Sequence, residues 1–477
     1  MTVTTRRLAD LRIDDHTVTL PLVWGDPTDA RTIDVHAAVV TREGGDDLPY
    51  LVFLQGGPGF EAPPAFHAPT SPSWLDGALA HYRVVLLDQR GTGASTPFGD
   101  DDLARGAEGV AEYVTHLRAD AIVADAEAVR ESLGVETWSV LGQSFGGFTI
   151  LHYLSTHADS LDDVYITGGL SAVGRHPDEV YALTYDKMRD ASERYYRRFP
   201  GHRDAMRERL DLAASGGIVL PGREVVSVSR LRSLGMLLGT NDGWQTLYGL
   251  LETDPRSNAF RYDLARALPF SARNPLYFLF HESSYADGHA TRWSADRVEP
   301  DDFLADPTLL TGEHVRRNWF DTVPGMLPWR DAALRVADVK WPRLYDADAL
   351  AMSDAGGAAA VYTGDVFVPL EFSLETARLL PGITPPDHER ARAQRTARRR
   401  RAAAPDRPGT RTPHALRLDG AVGRASERRR IAGVGARVEQ SRPAGSRRRA
   451  RSRSVGRCTG IASGWERRTR GCRRRGG

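Results

Sequence analysis

Two short, continuously apolar runs, Tyr50-Leu-Val-Phe-Leu54 and Arg83-Val-Val-Leu-Leu87, constrain the fold of this chain more than any other feature. Neither alternates with polar residues, so each must be covered on both faces, which is the pattern of central parallel strands. From Glu112 to Leu133 the period becomes helical, with Ile122, Val123, Ala126 and Val129 on one stripe and Gly134 where a C-cap would end it. A strand at Thr137 to Leu141 then leads into a second helix from about Phe145 to Thr156, and a further strand follows at Val164 to Thr167. Strands and helices alternating in this way predict an α/β parallel sheet. Ahead of it, regular alternation at Thr17–Trp24 and Ile33–Val40 predicts an antiparallel opening pair.

After residue 167 the alternation stops for some 160 residues, in a helical, aromatic stretch that carries Trp244, Tyr248, Tyr277, Trp293, Trp319 and Trp329. The sheet pattern returns at Ala358-Ala-Ala-Val-Tyr362. The economical organisation is a core in two segments, residues 1–170 and 331–384, around an inserted helical cap of residues 171–330. The rest, residues 385–477, is Arg-rich.

Charge divides the chain at the same place. Residues 391–477 hold 27 arginines, no lysine and 5 acidic residues, a net +22, and the preceding 390 residues carry −21. With one aromatic residue and no periodicity, this tail lacks the apolar surface to fold alone and is expected to be disordered. Both cysteines, Cys458 and Cys472, lie in it. A body without cysteine reads as a reduced-compartment, cytoplasmic protein. Charges scattered through Met1–Leu20 leave no apolar core for a secretory signal, and no run is long enough to span a membrane.

Three motifs carry chemistry. Gly142-Gln-Ser-Phe-Gly146 follows a predicted strand and opens a predicted helix. That is the context in which a serine on a tight turn, here Ser144, serves as a nucleophile. Leu54-Gln-Gly-Gly-Pro-Gly59 follows the strand at 50–54, and its glycines let backbone N–H groups face a ligand. In a serine hydrolase this loop and the residue after the nucleophile hold the oxyanion, which makes Gly57 and Phe145 the donors, since Pro58 has no N–H. A phosphate-binding loop is disfavoured because no Lys-Ser/Thr follows. Leu87-Asp-Gln-Arg-Gly-Thr-Gly93 ends the next strand and reads as a structural turn bordering the site, with Asp88 and Arg90 pairing locally.

In this order, Gln55-Gly-Gly-Pro-Gly59, Asp88-Gln-Arg-Gly-Thr-Gly93 and Gly142-Gln-Ser-Phe-Gly-Gly147 closely resemble the proline iminopeptidase family of α/β-hydrolases. The usual His-Gly-Gly-Pro-Gly has Gln55 in first place. The resemblance extends over roughly residues 10 to 384, including Arg118-Ala-Asp120 and His281-Glu-Ser-Ser-Tyr285. It implies an α/β-hydrolase core with a cap, and a serine peptidase that removes an N-terminal residue, typically proline, from a peptide or small amide without metal or cofactor. It also implies Asp365, in Val361–Val368, as the acid that orients the catalytic imidazole, with Asp354 the alternative. Glu282 is implied as the anionic contact for the substrate amine, and Gln55 and Gly56 as substrate-binding positions. A general esterase or acyl hydrolase is the alternative on the same scaffold. A nucleic-acid-binding protein using the basic tail is the alternative outside enzymes.

The base is missing. Chain order puts the histidine after Asp365, where only His388 and His414 remain, and neither stands in the family's setting of a short strand followed by Glu-His-Asp/Asn-Gly-Leu-Arg. Pro385-Pro386 disfavours a strand that would deliver His388. Asp387 to Pro405 can, however, be encoded so that reading one base later gives Thr-Thr-Ser-Glu-His-Glu-His-Asn-Gly-Leu-Arg-Ala-Asp-Gly-Glu-Arg-Leu-Leu-Leu. The 61 arginines against 2 lysines fit a GC-rich gene, whose wrong frames spell Arg, Ala, Gly and Pro. The tail is therefore expected to be an out-of-frame translation, with the base encoded across the codons of Ala393 and Gln394.

Overall fold

The computed structural model describes residues 1–65 and 73–384. All of them lie in the first of two units into which the chain divides, Met1–Val422. The Arg-rich segment, with His388 and His414, lies outside the described residues.

The two apolar runs become neighbouring central strands. One sheet contains β1 (Thr2–Leu8), β2 (Leu11–Pro21), β3 (Thr32–Arg42), β4 (Tyr50–Leu54), β5 (Arg83–Leu87), β6 (Trp138–Gln143), β7 (Leu161–Thr167), β8 (Gly356–Ala360) and β9 (Ile383–Thr384). Their order across the sheet is β1-β2-β3-β5-β4-β6-β7-β8-β9. The first three strands run antiparallel and β3 joins β5 antiparallel; from β5 onward all pairs are parallel. Leu54 stands opposite Gly142, Gln143 opposite Thr167, and Thr167 opposite Ala360. The loops that follow these strands consequently leave from one edge of the sheet, where open α/β sheets build their sites.

Helices α1 (Ser73–Ala78), α2 (Gly106–Thr115), α3 (Ala119–Ser132) and α4 (Phe145–Thr156) accompany these strands. Val52, Leu54, Val85, Leu87, Val140 and Val164 pack with Ile122, Val123, Ala126 and Val129 of α3. Leu51, Phe53, Val84, Leu86 and Leu141 face the other way, onto Leu75 and Leu79. Successive residues of one strand thus enter different cores, which is why these strands carry no polar face.

The single helix expected over 112–133 is two. The break at His116–Arg118 places Arg118 in the interior, where its guanidinium donates to the carbonyls of Ala286 and Pro342 at 3.0 Å each and lies over the Trp341 ring. A buried cation wired to two distant carbonyls outweighs one more helical turn. The pattern also gives no sign of β1, whose residues are nearly all exposed. Its ladder with β2, from Thr2 opposite Thr17 to Leu8 opposite Leu11, holds it through backbone bonds rather than apolar burial. The returning strand β8 starts and ends two residues earlier than expected, because Val361 and Tyr362 already belong to the loop that leads to Asp365.

Between β7 and β8 the chain leaves the sheet. A long helix, α5 (Pro177–Arg198), opens the excursion with proline in its first turn and the His176 ring accepting from Asp178 N–H. This region has its own apolar cluster around Tyr185, Met188, Tyr195, Leu231, Leu250 and Phe303. The chain then returns through helix Arg330–Asp338, packed on α2, and helix Ala347–Met352, packed on α4. Among the described residues no helix is long and apolar enough to cross a membrane.

Candidate active site

Ser144 stands between the end of β6 and the first residue of α4, with φ 52° and ψ −119°. A non-glycine residue in this region is strained and persists only where its surroundings hold it. Here Ser144 N–H donates to Thr167 O at 2.9 Å, and Ser144 O accepts from Gly147 N–H at 2.7 Å. Gly146 shows how tightly the turn is pressed onto the sheet, since a Cβ there would lie 1.9 Å from Leu54 O. The serine is partly exposed at the sheet edge.

The loop after β4 abuts this turn. A Cβ on Gly56 would sit 2.3 Å from the side-chain oxygen of Gln143, so only glycine lets Gln55–Gly57 pass the residue that precedes Ser144. Phe145 N–H belongs to the first turn of α4, which has no intrahelical acceptor. Neither it nor Gly57 N–H is taken by an acceptor among the described residues. Two free donors flanking a strained serine are the arrangement that holds a developing oxyanion.

A second loop braces the first. Gln89 Nε2 donates to Gln55 O at 2.9 Å, and the Asp88 carboxylate accepts from Ala62 N–H at 2.9 Å and from Ala94 N–H at 2.9 Å. His36 stands between Asp88 and Asp15, 3.3 Å from each, and the Asp88 carboxylate holds its ring above the usual histidine range. The expected local pairing of Asp88 with Arg90 does not occur. Arg90 is fully buried and forms a bidentate pair with Asp125 of α3, with further bonds to Leu22 O and His116 O. Burial explains the choice: α3 brings a buried carboxylate that needs a counter-charge, and the Trp24 indole N–H, which donates to it at 3.0 Å, supplies none.

Asp365 lies in the loop after β8, mostly buried. One oxygen accepts from Phe367 N–H at 2.8 Å and Val368 N–H at 3.0 Å. The other faces Gly168, the residue after β7, at 3.6 Å from where a Cβ would be. Burial raises its affinity for a proton, and the two N–H groups counter this. No histidine pairs with it among the described residues. Asp354, the alternative acid, is exposed ahead of β8, at the opposite edge of the sheet from Ser144.

The cap lowers a group of buried acids and aromatic rings toward this edge. Tyr285 packs against Phe148 of α4 with 5.6 Å between ring centres and donates to Phe367 O. The Glu282 carboxylate is committed to the fold, accepting from Ser294 N–H at 3.1 Å and Ala295 N–H at 2.9 Å. A different acid, Glu313, feels the charge of Asp365, receives the Tyr277 hydroxyl and has the neutral His281 ring 3.7 Å away. Its side chain is 16% accessible, yet burial pushes its pKa up to about 7, as it does for Glu282. Tyr181, whose buried hydroxyl has no partner, feels both carboxylates. Among the described residues no group of three or more His, Cys, Asp or Glu side chains could hold a metal ion.

Residues 49–212 match the family model described as the alpha/beta hydrolase fold. The chain is 38% identical over 391 residues to a proline iminopeptidase of Aeromonas sobria, covering 78% of this chain and 90% of that protein. It is 29% identical over 359 residues to the proline iminopeptidase aneH of Aspergillus aculeatus, covering 69% of this chain and 78% of that one.

Proposed function

Because this chain belongs to the proline iminopeptidase family of α/β-hydrolases, we propose that its site releases an N-terminal residue, preferentially proline, from peptides by attack of Ser144. The observation that carries this reading beyond a general acyl hydrolase is Glu313. A partly accessible carboxylate held by the Tyr277 hydroxyl and close enough to Asp365 to feel its charge has no use in ester hydrolysis, but it matches a free secondary amine.

The substrate carbonyl sits against Ser144, with its oxygen on the N–H groups of Gly57 and Phe145. These donors strengthen as the oxygen becomes charged, which lowers the barrier rather than merely binding substrate. Gln55 and Gly56 form the wall of this pocket. The amine points to Glu313, and Glu282, across Tyr181, adds negative potential behind it. Asp365 orients the imidazole that takes the Ser144 proton. Chain order puts that imidazole beyond Asp365, outside the described residues, where the codons permitted for Asp387–Pro405 allow it one base later. A body free of cysteine supports work in the reducing cytoplasm.

The test compares proline aryl-amide with short-chain ester turnover on a protein whose frame is restored at codon 387. Efficient amide turnover that collapses in Glu313→Gln, with ester turnover spared, is expected. Ester turnover that exceeds amide turnover and ignores this substitution would favour the acyl hydrolase instead. For the nucleic-acid alternative, deleting residues 391–477 and following salt-dependent DNA binding decides.

A further inference from the structure

A cavity of about 290 Å³ opens beside the oxyanion loop. Phe60, Met236, Leu237, Pro269, Phe270 and Tyr277 give it apolar walls. Two contacts tie it to the catalytic machinery. Phe60 lies three residues after the donor Gly57, and its ring meets the Tyr277 ring edge-on at 5.1 Å. Asn274, also in the wall, reaches Pro58 O at 3.5 Å. Tyr277 therefore has two sides: its hydroxyl serves Glu313, and its ring lines this cavity.

The cavity has a cationic rim made of Arg266 and Arg273. Arg273 is partly neutralised by an ion pair with Glu61 of the oxyanion loop. Arg266 is exposed at the end of helix Asn258–Ala267 and has no ion pair among the described residues, although Asp263 lies one turn earlier. A peptide whose carbonyl is held at Gly57 and Phe145, with its amine drawn to Glu313, must send its remaining chain elsewhere. An apolar cavity that starts at Phe60 and ends at an unpaired guanidinium suits a short chain with an apolar side chain and a terminal carboxylate.

We propose that this cavity receives the leaving portion of the substrate and selects short peptides with an apolar second residue, whose free C-terminal carboxylate Arg266 holds. This rests on the aminopeptidase reading and adds to it a substrate class: small peptides, the products of earlier endoproteolysis, rather than long polypeptides. At about 290 Å³ the cavity lies at the small end of ligand sites, with room for a few residues of chain at most.

Binding can be measured without turnover on the full 477-residue chain carrying Ser144→Ala, by calorimetry with proline amide, Pro-Leu, Pro-Leu-amide and Pro-Asp. Pro-Leu is expected to bind about fivefold more tightly than Pro-Leu-amide, as one partly exposed charge pair provides, and more tightly than Pro-Asp. Arg266→Ala should abolish the preference for the acid over the amide and leave proline amide binding unchanged. If proline amide binds but acid and amide are equal, or if Arg266→Ala keeps their difference, the cavity does not have this role. If proline amide itself fails to bind, the aminopeptidase reading falls, and this inference with it.

Discussion

At the scale of single residues, the site holds a charge that the fold alone would not keep. Glu313 has a folded-state pKa of about 7 against an ordinary 4.5, so the folded protein holds this proton more tightly than the unfolded chain. Its contribution to stability is therefore lost as pH rises from about 4.5 through 7. Glu313→Gln has no such loss, and at pH 8 it should be more stable in urea denaturation by on the order of 3 kcal/mol, with no difference near pH 4. The same group should shape recognition, because a cationic amine needs the ionised carboxylate. Proline amide affinity should rise with pH through about 7, and Glu313→Gln should flatten that limb. The strained turn at Ser144 and the glycine loop after β4 were legible in the sequence because each is a short motif at a strand end, where glycine spacing fixes the backbone, whereas Asp365 came only through the family resemblance. Glu313 was not legible, since nothing near it in sequence marks it; only the packing of the cap brings it beside Tyr277. Glu282 stood in the more suggestive motif, but its carboxylate ends on two backbone N–H groups.

Among elements, the brace between loops 55–62 and 88–94 has a measurable role. Asp88 and Gln89 grip the oxyanion loop at both ends, through Ala62 N–H and Gln55 O. In a frame-restored protein Asp88→Asn should lower kcat about tenfold with little change in KM, since a misplaced donor is felt chiefly in the transition state. A raised KM with kcat unchanged would mean that the brace shapes binding instead. The Arg90–Asp125 pair between the next turn and α3 is of another kind. Arg90→Met leaves the buried Asp125 carboxylate without its counter-charge, with only the Trp24 indole N–H still donating to it, and should cost about 3–5 kcal/mol in urea denaturation, whereas the double change Arg90→Met with Asp125→Leu should recover much of it. Strand periodicity could announce the sheet because its core is built from local runs. It could not announce which partner Arg90 takes, or why a helix breaks at Arg118, because both are decided by groups distant in sequence.

For the whole molecule, the decisive question is the base. Lacking it, a serine hydrolase keeps oxyanion stabilisation and binding but loses on the order of 10⁴- to 10⁶-fold in rate. The 477-residue chain should show proline aryl-amide turnover lower by that factor than its frame-restored counterpart. Robust turnover by the chain as it stands, abolished by His388→Ala, would overturn this. The parallel sheet still extends to Ile383–Thr384 beside β8, so the restored segment would join an edge that is already begun. Arg118 bears on how the cap is held. Its two carbonyl partners, Ala286 and Pro342, lie more than fifty residues apart within the excursion, and the cation that fastens both belongs to the core. By fastening Ala286 of the cap and Pro342 of the returning segment to one core cation, Arg118 pins the cap at that point, and Arg118→Met should speed amide exchange around Ala286.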